Sequence, residues 1–206
     1  MKQNILVWDW PTRVFHWAFA LSFAGAYLTS ESERYSDWHM ALGYLFAGLL
    51  VFRLVWGFIG GRYARFGSFM FGPSAIMAYL KSLTSRQPTH FTGHNPIGGI
   101  AIFLLLGLGA LIAVSGVGLD FEIGGYDGEE LFEELHEFAA NLMLLLVFVH
   151  IVGVLVSGKL HGENLARSMV TGYKQGAAEL ATTSAYTWLG VSMLVLSLGF
   201  LFIYLN

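Results

Sequence analysis

The stretch that decides the fold is LHEFAANLMLLLVFVHIVGVLVS, residues 135–157. Between Phe138 and Val149 its one polar residue is Asn141. A run of about 20 mainly apolar residues crosses the roughly 30 Å hydrocarbon core of a bilayer as a helix. Two histidines sit in this run, His136 at its start and His150 toward its end, 14 residues apart. At 100° per residue they fall within about 40° of one face, and about 21 Å apart along the axis. Ionisable side chains at membrane depth are functional candidates by default. The segment therefore reads as a transmembrane helix that presents two imidazoles on one face, one near each membrane surface.

Four further apolar stretches qualify as spans: about 14–30, 38–59, 97–118 and 186–205. Composition agrees. Of 206 residues, 55% are hydrophobic and only 12% charged, with a mean hydropathy of +0.60. A water-soluble domain carries about 25% charged residues, so a soluble enzyme is excluded, as is a disordered chain. The net charge of −3 leaves no basic footprint for nucleic acid. The absence of cysteine excludes disulfides, thiolate-bound zinc, iron–sulfur clusters and covalently attached haem. Any metal or haem must be held by nitrogen, oxygen or methionine sulfur. The expected fold class is all-α, a transmembrane bundle of four helices with an additional C-terminal transmembrane helix.

The N-terminal MKQNILVWDWPTRVFHW lacks the charged, apolar and cleavage-site order of a signal peptide, so the first span reads as retained. Basic residues set orientation. With alternating spans, Lys2, Arg13, Arg53, Arg62, Arg65, Lys81, Arg86, Lys159, Arg167 and Lys174 fall on one side and Arg34 alone on the other. This places the N-terminus in the cytoplasm and the C-terminus outside. Both outer loops are acidic; the second, 120–134, holds seven carboxylates and no Lys or Arg. The stretch near 73–84 mixes Met and aromatic residues with Lys, and predicts an amphipathic helix lying at the interface. Residues 158–185 read as a connector.

The remaining histidines pair with those of the 135–157 span by depth. His16 and His150 lie near the cytoplasmic face, His39 and His136 near the outer face. Two bis-histidine sites stacked across one membrane are what two haem b groups require, since haem iron takes axial imidazoles. Gly43 and Gly153 lie four and three residues after His39 and His150. Each leaves a notch for a flat macrocycle, or simply for close helix packing. Arg13 and Arg53 stand at the inner level, either as partners of haem propionates or as cytoplasmic anchors.

These motifs resemble the bacterial cytochrome b561 family, most of all its nickel–iron hydrogenase b-type cytochromes. The likeness rests on VWDWPTRVFHW (7–17), RLVWGFIGGRYARF (53–66), GHNPIGG (93–99), the paired histidines of 136–150 and HGENLARSMVTG (161–172). It implies a di-haem domain over 1–175, followed by a connector and fifth span over 176–206. It implies haem ligation by His16 with His150 and by His39 with His136. It also implies electron transfer between a quinone pool and a periplasmic redox partner, a cytochrome c or a hydrogenase subunit. An alternative is a quinone-linked oxidase of a small substrate such as superoxide, so enzyme status stays open; the acidic outer face repels that anion and suits a basic partner. A non-redox transporter or anchor is the third reading, and it carries no haem. His94 and Asn95, just before the third span, are candidates for quinone contact or for helix capping. His90 and His161 read as solvated, and most of the six Trp near span ends as an interfacial belt. The oligomeric state is left open between monomer and homodimer.

Overall fold

The long helices start where the sequence supplies a cap. In the computed structural model, which describes residues 3–84 and 88–206, helix α1 spans Trp10–Thr29. The Asp9 side chain accepts a hydrogen bond from the Thr12 backbone N–H at 2.9 Å, and Pro11 occupies the first turn, where a missing N–H costs nothing. Much of the WDWPT signature is thus a helix start. Helix α4, Pro96–Asp120, repeats the device: Asn95 Oδ1 accepts from Gly98 N at 2.8 Å and Pro96 follows. The other helices are α2 (Ser36–Ile59), α3 (Pro73–Leu83), α5 (Gly125–His161), α6 (Leu165–Thr171) and α7 (Thr187–Tyr204).

Four helices are long and apolar enough to cross a membrane: α2, α4, α5 and α7. Helix α1 has 20 residues, about 30 Å at 1.5 Å per residue, but is less apolar. Its Thr12, Arg13 and Ser22 are buried against neighbours. The outer faces of α5 and α7 are apolar and exposed, with Leu145, Phe148, Leu196 and Phe202 all pointing away from the protein. In water such a surface drives association; in a bilayer it is ordinary lipid contact. The chain is a helical membrane protein.

Helices α1 and α2 pack antiparallel, with Phe19 stacked on Phe46 at 4.0 Å and Gly25 facing Leu42. Helices α4 and α5 pack antiparallel as well, and α2 meets α4 through Phe46 and Gly109. Helix α7 lies outside this group against α1 and α2, with Gly190 on Trp10 and Tyr204 beside Tyr44. The buried core is aromatic: Phe15, Phe19, Phe23, Phe46, Phe66 and Phe69.

Two expectations need correction. Helix α5 begins at Gly125, ten residues before the expected 135, so acidic residues 127–134 are helical rather than loop. Glu and Leu favour helix, and carboxylates suit its positive N-terminal end. At 37 residues the helix is about 55 Å long, so it outruns the hydrocarbon core. Second, 158–185 is not a plain connector. It holds α6 and a strand β2, Tyr173–Gly176, paired antiparallel with β1, Gln3–Leu6, in the register Gln3 to Gly176 and Leu6 to Tyr173. Gly172, at φ 90°, ends α6, and its carbonyl accepts from both Val7 N and Trp8 N. Only glycine takes that φ at no steric cost. Of the six Trp, Trp8 and Trp56 are core residues, each 5% exposed, while the other four are exposed. The helix expected near 73–84 is α3. Lys2 and Arg86 of the orientation argument lie outside the described residues.

Candidate metal centres

The first centre joins α2 to α5. The rings of His39 and His136 have centroids 6.2 Å apart at an interplanar angle of 66°. Each ring is held by its Nδ1. His39 Nδ1 lies 2.9 Å from the Ala26 carbonyl of α1; His136 Nδ1 lies 3.1 Å from both the Ile112 carbonyl and Ser115 Oγ of α4. A carbonyl can only accept, so both Nδ1 atoms carry the proton. This leaves each Nε2 with a free lone pair, and no other hydrogen bond among the described residues engages it. Fixing the tautomer through the second nitrogen is how proteins orient a ligating imidazole. Two imidazoles bound to one metal at about 2 Å on opposite sides have ring centres roughly 6 Å apart. The spacing fits a single ion between them.

A cleft opens beside this pair, lined by Phe23, Met40, Gly43, Ala47, Ala113, Gly116 and both histidines. Its lining is apolar and includes no Lys, Arg, Asp or Glu. A Cβ added at Gly43 would meet nothing within 4 Å, so the expected notch is open space on the cleft wall. Gly116 is a residue that sequence reasoning missed. A Cβ there would stand 3.1 Å from the His136 ring, so glycine lets that ring lie against α4. Ser115 and the Ala26 and Ile112 carbonyls were also missed; a serine inside the apolar run 110–117 was the only available signal.

The second centre lies at the opposite end of the bundle. His16 of α1 and His150 of α5 are close enough to interact electrostatically, and both do so with His94. Here the surroundings are charged and unfinished. Arg53 is 4% exposed, with its guanidinium 4.9 Å from the Phe66 ring and 5.9 Å from Phe69 and from Phe15. Buried polar atoms without a partner include Arg53 Nη1, Arg13 Nε, His16 Nδ1, His94 Nδ1 and Thr12 Oγ1. Leaving such donors unpaired is costly, which points to a polar group the protein does not itself supply. Arg13 lies over Trp10, 4.5 Å from its centroid. Gly153 also faces open space.

Of the two quinone candidates, Asn95 spends its Oδ1 on the α4 cap. The His94 ring sits between Trp8, at 4.6 Å, and Phe69, at 4.8 Å. Burial pushes the His94 imidazole down to about 3, aided by the nearby Arg53 charge, so the ring is neutral. His90 and His161, expected as solvated, line a small pocket with Tyr79, Ser157, Glu163 and Lys174. Glu163 pairs with His90 at 2.6 Å and with the buried Lys174 at 2.9 Å. Burial alone would raise the Glu163 carboxyl, but hydrogen bonds from Lys174 and His90 outweigh it and hold it below the usual range. Among the described residues no three His, Cys, Asp or Glu side chains converge on one point.

No solved structure matches the chain. A protein of Rhizobium leguminosarum bv. viciae named "Probable Ni/Fe-hydrogenase B-type cytochrome subunit" is 27% identical, over 83% of this chain and 89% of its own length. A protein of the same name from Azotobacter vinelandii is 26% identical, over 84% and 90%. The family model of prokaryotic cytochrome b561 matches residues 7–172, a stretch that includes all four paired histidines, and the chain therefore belongs to that family of membrane b-type cytochromes.

Proposed function

We propose that this protein is a di-haem electron carrier that passes electrons across the inner membrane between a periplasmic redox partner and the quinone pool. The observation that carries the reading is the pair His39 and His136, 6.2 Å apart with both Nδ1 atoms tied to backbone carbonyls. His39 and His136 hold one haem b, and His16 and His150 hold the other. The iron, when bound, supplies a reversible one-electron couple. The chain does the rest. Backbone carbonyls of α1 and α4 aim the His39 and His136 rings, Gly43 and Gly116 clear the space, and the aromatic core excludes water. Arg53 supplies positive charge to the carboxylates of the haem at His16 and His150.

The relatives' names favour a hydrogenase as the partner. The acidic turns of α5, Asp127 to Glu134, lie between about two and a half turns and half a turn before His136, toward the helix end beyond the membrane. They suit a basic docking face on that partner, with an encounter that weakens as salt rises. With the positive-inside assignment, these turns are periplasmic and the His16 end is cytoplasmic. The test is electron exchange by the purified protein. Both haems should be reduced when hydrogenase and hydrogen are added, and reoxidised by a water-soluble ubiquinone analogue. Haems that reduce with dithionite but exchange with neither would refute the carrier role.

A further inference from the structure

The unpaired donors at the His16–His150 end are not scattered. Arg53 and His94 approach from different elements, α2 and the turn before α4, and share one neighbour, the fully buried Phe69. The Arg53 charge is felt at His94, and His94 in turn interacts with both His16 and His150. Each contributes a buried nitrogen with no acceptor, Nη1 of Arg53 and Nδ1 of His94. The groups described around them offer ring faces rather than oxygens: Phe15, Phe66 and Phe69 about Arg53, Trp8 and Phe69 about His94.

The carboxylate within electrostatic reach of Arg53 is Asp9. Its Oδ1 accepts from Thr12 N at 2.9 Å and Trp56 Nε1 at 3.4 Å, and it makes no hydrogen bond to Arg53. Asp9 also lies within reach of Arg13. Among the described residues, two buried arginines thus share one carboxylate, one negative charge short of balance. A buried cation needs a paired, hydrogen-bonded anion. Lys174 is already matched by Glu163 at 2.9 Å.

From this we infer that His94 and Arg53 together donate to one carboxylate of the haem held by His16 and His150, which makes His94 a positioning residue for that haem rather than a quinone contact. The inference rests on the two-haem reading. The buried Nδ1 of His94, as an N–H donor, supplies the directional hydrogen bond, and the Arg53 guanidinium supplies the charge. Together they neutralise a negative group near the iron, and so favour the ferrous state. The His39–His136 cleft has no such pair among its lining residues. The two haems are therefore tuned differently.

The test is a spectroelectrochemical titration of the full-length holoprotein carrying His94→Phe or His94→Gln, with redox-induced infrared difference spectra. In His94→Phe, two haems per chain are expected to remain. At a fixed potential the ferrous-to-ferric ratio of the His16–His150 haem should fall about tenfold, or 59 mV for one electron. The carboxylate band should move, while the His39–His136 haem stays unchanged. His94→Gln keeps an N–H donor and should hold the ratio within about threefold of wild type. An unchanged titration in His94→Phe overturns the inference, and a rise in quinone KM with both potentials intact would assign His94 to quinone instead. Loss of the haem in both variants would give His94 a packing role and equally overturn it. A wild-type protein with a single haem would fail the two-haem reading itself, before any variant is compared.

Discussion

The two ends of the bundle solve the same problem with different materials. At the His39–His136 end the protein is complete without a charged group: helix carbonyls hold both rings and an apolar cleft stands open. At the His16–His150 end the buried groups are charged and polar: Arg53, Arg13, His94 and His16 keep buried nitrogens without partners. One end orients its two histidines through main-chain hydrogen bonds; the other surrounds them with buried charged and polar side chains.

The sharpest way to break the comparison is to remove ligands. His39→Ala and His136→Ala should each reduce haem from two per chain to one, and the surviving haem should have the same potential in both. His16→Ala and His150→Ala should each leave the other haem. Haem quantitation with a redox titration of each variant checks this. Different survivors in the His39 and His136 variants would undo the pairing.

Filling the cleft comes next. Gly43→Phe places a ring where a Cβ meets nothing within 4 Å. It should displace most of the haem at His39 and His136 while the other haem titrates normally. Gly43→Ala should bind both haems at wild-type levels.

A smaller effect is expected at the tie below the charged end. Glu163→Gln leaves the buried Lys174 charge unmatched and should destabilise the protein by about 2 kcal/mol, less than a fully buried pair because Glu163 is partly exposed. Because the folded Glu163 carboxyl is depressed below its ordinary 4.5, its stabilisation is complete above that pH and fades as pH falls through the lower folded value. Thermal unfolding of wild type and variant from pH 7 downward should therefore converge in acid. Curves that stay parallel would remove the linkage.

The smallest change is expected at Ser115. In Ser115→Ala, His136 keeps its bond to the Ile112 carbonyl. The ferrous-to-ferric ratio of that haem should rise less than tenfold, since a weaker Nδ1 hydrogen bond makes the imidazole less basic.

The sequence carried the spans and the histidine pairs because both obey fixed periods: apolar runs of membrane length, and a 14-residue spacing that returns to one helix face. It did not carry what depends on contacts between distant segments. Nothing local marks Ala26 and Ile112 as the carbonyls that hold His39 and His136, because a carbonyl is present at every residue. Nothing local shows that 3–6 pairs with 173–176, four residues each, across nearly the whole chain. The acidic run 127–134 was misread as loop because its charge masked good helix formers. Asn95 was legible in both its readings, and the geometry shows the cap occupied.

The central claim, two non-covalent haems on two histidine pairs, is tested most directly by haem stoichiometry. Pyridine haemochrome quantitation of the purified wild-type protein, referred to protein by amino-acid analysis, should give two haem b per chain, and acid–acetone should extract all of it. One haem per chain, or haem left on the polypeptide after extraction, would contradict the account.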